Sequence, residues 1–138
     1  MKLYLSIFLI SLFIPFPVLQ LSAQKAQGQI YTTTDKRAIK FFEEGTKHYN
    51  AKQDDAAVKY LKRAVEAAPD FIEAHALLAA VYEEMNQPLK AIEELKIAIS
   101  IKPGYFNVLY FTLGEIEMDE ALYPDAKTHL EDYLKGAK

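Results

Sequence analysis

The sequence predicts an all-α protein made of three stacked helix pairs, and three observations carry that expectation. Apolar residues recur at three- and four-residue intervals through residues 35–136, and no segment alternates with a period of two. A set of positions also repeats at an offset of 34 residues: Ala57, Leu61, Ala64 and Pro69 return as Ala91, Leu95, Ala98 and Pro103. With one residue added, Ala91 and Leu95 return again as Ala126 and Leu130. Gly45, Ala79 and Gly114 mark one register point in the first half of each copy.

Each copy, about 36–69, 70–103 and 105–136, reads as two helices. The first helix runs from about Asp35, a suitable N-cap, to Ala51, with Ala38, Phe41, Phe42, Gly45 and Tyr49 on one stripe. Its partner begins at Asp54 or Asp55 and is stopped by Pro69 after the stripe Ala57, Val58, Leu61, Ala64 and Val65. The second pair spans Asp70, again read as a cap, to Met85, and then Pro88 to Ile101, where proline suits the first helical turn. Pro103 and Gly104 end that pair. The third spans about Tyr105 to Glu120 and Pro124 to Lys135, with Gly136 as the stop. Alanine or glycine at the crossing points lets paired helices approach, while Leu61, Leu78, Tyr82, Leu95, Leu113 and Leu130 fill the space beside them. One pair alone cannot bury its stripes, whereas three stacked pairs share a continuous core.

Composition closes several functional classes. The 138 residues contain no cysteine, which removes disulfides, thiolate metal sites and thiol catalysis. Only Arg37 and Arg63 supply guanidinium groups, and the net charge is −3, so the basic footprint of a nucleic-acid-binding protein is missing. Residues 1–23 have a charge at Lys2, an apolar run from Leu3 to Leu19 and a more polar exit, the layout of a secretory signal peptide. Cleavage is expected after Ala23, with later sites such as Gly28 as alternatives. An uncleaved anchor is the competing reading, and it would be the chain's one membrane contact, but Pro15 and Pro17 interrupt the run. The expected location is therefore outside the cytoplasm, in the periplasm or cell envelope. Residues 24–34 are polar and without period, and read as a flexible lead-in.

The repeat carries a recognisable signature. In the middle copy Leu78, Ala79, Tyr82, Ala91, Leu95, Ala98 and Pro103 fall on the positions of the tetratricopeptide repeat (TPR), with His75 in place of the opening tryptophan. The first copy offers Phe41, Gly45, Ala57, Leu61, Ala64 and Pro69, and the third offers Tyr110, Leu113, Gly114, Tyr123, Ala126 and Leu130, with Glu117 where a tyrosine is usual. The chain thus resembles a TPR protein over residues 36–136. That resemblance implies a right-handed solenoid whose concave face, lined by the first helices, binds peptide segments or partner proteins. An exported three-repeat array is also similar to the N-terminal TPR region of Gram-negative envelope proteins that carry an OmpA-like domain, which implies an envelope scaffold or one module of a larger peptidoglycan-associated assembly.

Carried over position by position, the resemblance places Phe42, Thr46, Tyr49, Glu73, Leu77, Glu83, Glu84, Phe111, Glu115 and Met118 in the groove, together with Val108, Thr112 and Asp119. Some TPR domains hold a chaperone's terminal carboxylate with a clamp of Lys, Asn and Arg. Here Phe42, Thr46, Leu77, Val108 and Thr112 occupy those positions, so that clamp is absent. Aromatic and acidic residues instead suit a protein or peptide segment with apolar and basic side chains. The competing reading is that the aromatics pack inward, or that residues 24–34 fold back into the groove, and the acids only solvate the face. His48, His75 and His129 lie on three different helices and predict no metal site, and neither a phosphate loop nor a nucleophile constellation is present, so no enzyme, cofactor or small-molecule substrate is expected. Lys59, Lys62, Lys90 and Lys96 read as a solvated convex side. The last helix turns polar at Lys127 and Asp132, which suggests a self-capping end, yet Leu130, Tyr133 and Leu134 leave an apolar edge for another domain or copy.

Overall fold

The computed structural model describes residues 31–136; the expected signal segment and residues 24–30 of the lead-in lie outside the described residues. Six helices follow one another: α1 Lys36–Asn50, α2 Asp54–Ala67, α3 Ile72–Glu84, α4 Pro88–Ile101, α5 Val108–Asp119 and α6 Tyr123–Gly136. They pack as the hairpins α1·α2, α3·α4 and α5·α6, with α2 against α3 and α4 against α5. No strand occurs among the described residues. None of these helices is long and apolar enough to cross a membrane.

The repeat is visible in the backbone itself. Each hairpin turns through one residue in the left-handed region, Lys52 (φ 56°), Asn86 (φ 57°) and Ala121 (φ 60°). The next amide then closes the turn on the preceding helix: Gln53 N–H donates to His48 O, Gln87 to Tyr82 and Leu122 to Glu117, at 2.8–3.0 Å. Only Asn86 is a residue type that accepts this conformation readily. Close approach follows the small residues: a Cβ at Gly45 would lie 2.7 Å from Leu61 Cγ, and one at Gly114 would lie 2.7 Å from Leu130 Cγ. The core runs from Ala38 and Phe42 through Leu61, Leu78, Tyr82 and Leu95 to Leu113 and Ile116, without a break between pairs.

Two helix starts differ from expectation. Asp35 caps α1 as expected, accepting from Arg37 N and Ala38 N, and these bonds hold its carboxyl below the usual range. Asp70, by contrast, does not cap α3: the helix begins at Ile72, and the Ile72 amide donates to Thr32 Oγ1, 40 residues upstream, at 3.1 Å. The third pair starts at Val108 rather than near Tyr105. The extra residue of this copy is absorbed in the connector, where Gly104 takes a φ of 78° that other residues avoid. Phe106 then does what Phe71 does one copy earlier, its carbonyl accepting the amide three residues on.

Candidate functional site

The first helices α1, α3 and α5 supply every residue of the expected groove, and the structure divides those residues into three groups. Toward the N-terminal ends of α1 and α3, Phe42 is not a surface residue. It is 3% exposed, with its ring 5.0 Å from Phe71 and 5.5 Å from Tyr31, so it supports the face from beneath. Packing on Phe71, which closes the α2–α3 connector, draws it inward. Glu73 is engaged by the chain's own Thr32, whose amide donates to both carboxylate oxygens at 3.1 and 3.3 Å and whose hydroxyl donates as well. Residues 31 and 32 of the lead-in are therefore joined to the helical array. Burial raises the Tyr31 phenol, with Glu43 and Glu73 adding to the effect.

At the C-terminal ends of α1 and α3, Tyr49 and Glu84 form a polar link rather than an open surface. Tyr49 Oη donates to Glu84 Oε1 and Lys52 Nζ to Glu84 Oε2, both at 2.7 Å. These bonds hold the Glu84 carboxyl below its ordinary value, while burial and then the same carboxylate push the Tyr49 phenol well up. Thr46 is half-buried and donates back to Phe42 O at 2.8 Å, and Leu77 is half-buried beside the core.

The third group lies on the seam of α3 with α5. Glu83 is pushed above the usual carboxylate range, first by burial and then by the negative charges of Glu115, Asp119 and Glu84. Beside these acids Phe111 is 37% and Met118 47% exposed, with Phe111 leaning on Tyr133 at 5.3 Å. This stretch joins negative potential to open apolar surface.

Two polar clusters that the sequence did not reveal lie within the second hairpin and between the second and third. Lys96, expected on the solvated convex side, reaches Glu117 at 3.0 Å, and Glu117, fully buried at the usual tyrosine position, also takes His129 Nδ1 at 2.6 Å. His75 is buried with Nδ1 2.7 Å from Glu94 and Nε2 3.0 Å from Pro69 O. His48 stacks on Tyr60 at 5.1 Å and meets Gln53 at 2.6 Å. Each histidine thus has its own protein partner, and among the described residues no group of three His, Asp or Glu side chains is arranged to hold a metal ion. Glu117 was legible as a departure from the repeat pattern, but its partners were not.

This geometry agrees with comparison to known proteins. A family profile for the tetratricopeptide repeat matches residues 48–105. The crystal structure of MamA superposes with a TM-score of 0.70 at 28% identity, covering 72% of this chain and 58% of that one. The Sgt2 TPR domain from Aspergillus fumigatus gives 0.66 at 25% identity, with 74% and 67% covered. The second TPR of Spaghetti (RPAP3), solved bound to the HSP90 peptide SRMEEVD, gives 0.66 at 18% identity, with 72% and 91% covered. The chain therefore spans somewhat over half the length of the MamA chain it matches. Among curated proteins, none matches this sequence. The fold is the all-α TPR solenoid, the architecture of a protein-interaction module.

Proposed function

We propose that the protein is a non-enzymatic scaffold of the cell envelope, exported by its N-terminal segment, that holds a partner's apolar and basic segment on the seam between α3 and α5. The observation that carries this reading is the convergence of Glu83, Glu115 and Asp119 beside the exposed Phe111 and Met118. Like charges held close raise each other's energy, and a Lys or Arg brought between them relieves it while its neighbours cover the apolar surface. Peptide binding by an RPAP3 TPR domain of the same fold supports the mode of binding, though the carboxylate clamp positions here carry Phe42, Thr46, Leu77, Val108 and Thr112.

The test is binding of an amphipathic peptide of alternating Leu and Lys, followed by fluorescence anisotropy. Reversal of Glu83 and Glu115 to Lys should weaken it at least tenfold, and added salt should shrink the difference. Glu84 is left alone because its ion pair with Lys52 is structural. Equal affinity of the variant and the parent chain at low salt refutes the groove reading.

A second reading has one observation in its favour. Val65 and Ile99 are half-buried against the core, whereas Leu134, one copy on, is 62% exposed at the α6 edge. A module of a larger outer-membrane or peptidoglycan-associated assembly would use that edge, and Leu134→Glu would then abolish association while leaving peptide binding intact.

A further inference from the structure

The end of the lead-in is held as a bound peptide is held. Tyr31 places its ring edge-on to Phe42 at 5.5 Å and to Phe71 at 5.6 Å, filling the seam between the middle of α1 and the start of α3. Thr32 follows with a set of bonds that reads its side chain: the hydroxyl donates to Glu73 and at the same time accepts from the otherwise unpaired Ile72 amide, 3.1 Å away. Its own amide adds two bonds to the Glu73 carboxylate. A group that must donate and accept at once at a β-carbon is a hydroxyl, so Ser or Thr fits and Val does not. The Phe42–Phe71 cleft likewise selects a ring, and the half-buried Tyr31 fills it.

We propose that this seam is a peptide-binding subsite selective for an aromatic residue followed by Thr or Ser, and that Tyr31–Thr32 occupies it in cis. A partner presenting such a dipeptide then competes with the lead-in, and displacement of the lead-in opens the N-terminal end of the concave face. The subsite lies about 15 Å along α3 from Glu83, ten residues at about 1.5 Å each, and so stands apart from the acidic seam proposed above.

The experiment uses the full chain carrying Tyr31→Ala with Thr32→Val, and as probe the acetylated, amidated pentapeptide of residues 31–35. Titration followed by amide NMR shifts should show saturable binding centred on Ile72 and Glu73, with a Kd on the order of 1 mM. The parent chain should bind roughly two- to tenfold more weakly, because its own dipeptide is tethered beside the site at an effective concentration of about 1–10 mM, which weakens the probe by one plus that concentration over its Kd. A peptide with Phe and Ser in the first two positions should bind, and one with Ala and Val should not. Thr32→Val alone, which keeps the ring, carries the same comparison should the double variant lose helix content by circular dichroism. The proposal is overturned if the folded variant does not bind, if the parent binds equally well, or if the Ala-Val peptide binds as tightly. Charge reversal at Glu83 and Glu115 should leave this binding unchanged, so its failure is distinguishable from failure of the acidic seam.

Discussion

Replacing Lys96 with methionine tests how the third hairpin is attached to the second. Glu117 on α5 is fully buried, yet its two oxygens face Lys96 from α4 at 3.0 Å and His129 from α6 at 2.6 Å. Removing one partner of a buried ion pair typically costs about 3–5 kcal/mol, because the remaining charge is left in a low dielectric. Here the lysine side chain keeps 44% of its exposure, which screens the pair, and His129 still faces the carboxylate. The expected loss is therefore about 2 kcal/mol, and methionine retains the aliphatic stem so that packing does not confuse the reading. Glu117→Gln removes the charge and keeps the shape, and should cost about 1 kcal/mol. In the Glu117→Gln background, Lys96→Met should then cost little, giving a coupling of about 1.5 kcal/mol between the two positions. Urea unfolding of the full chain at pH 7, followed by far-UV circular dichroism, measures all four states. A loss below about 0.5 kcal/mol for Lys96→Met, or strict additivity, would falsify the claim that this ion pair ties α4 to α5.

Three further outcomes follow from local geometry. Ala121 sits at φ 60°, so Ala121→Gly should stabilise the protein by about 1 kcal/mol and raise Tm by roughly 4 °C in a thermal scan, whereas a lower Tm would show that the turn is not strained. Gly45→Ala should cost about 1–3 kcal/mol in urea unfolding, since its new Cβ meets the fully buried Leu61, but Gly114→Ala should cost under about 1 kcal/mol because the half-buried Leu130 can swing outward; equal losses would contradict this difference in packing. Glu83 has a folded-state carboxyl pKa raised above its ordinary value, so its contribution to stability is full below the unfolded pKa and is lost as pH rises through the folded one. Glu83→Gln should accordingly stabilise the chain by a few tenths of a kcal/mol at pH 7, screened by solvent, and by nothing below about pH 4; a benefit that persists in acid would point to something other than charge.

Much of the helical framework was legible because a repeat states each rule three times. Positions such as Ala57, Ala91 and Ala126 identify the crossing points, and prolines and glycines mark the connectors, so the hairpins and their register follow from sequence alone. The groove was legible only as positions, because exposure depends on neighbours from other elements. Phe42 and Phe111 both occupy first-helix positions assigned to the concave face, but Phe71 and Tyr31 cover the former while the latter stays open. Asp70 satisfied every local criterion for a cap and was displaced by Thr32, a residue 38 positions away whose bonds to Ile72 and Glu73 have no periodic signature.

A different kind of limit appears where the copies face themselves. His48, Tyr82 and Glu117 occupy one register point on the first helices, and Tyr60, Glu94 and His129 occupy the facing point on the second, always 12 residues on. In the first hairpin the two are stacked rings, and in the third they are a carboxylate and an imidazole joined by a hydrogen bond. In the middle hairpin Glu94 turns instead to His75, the residue standing at the tryptophan position. The periodicity therefore sets two side chains at facing positions in every copy, but they meet only in the first and third, and the chemistry of the meeting is chosen separately in each. A substitution at Glu117 is therefore judged by its partners and not by the repeat pattern: a tyrosine there would strand Lys96 and His129 together without their carboxylate.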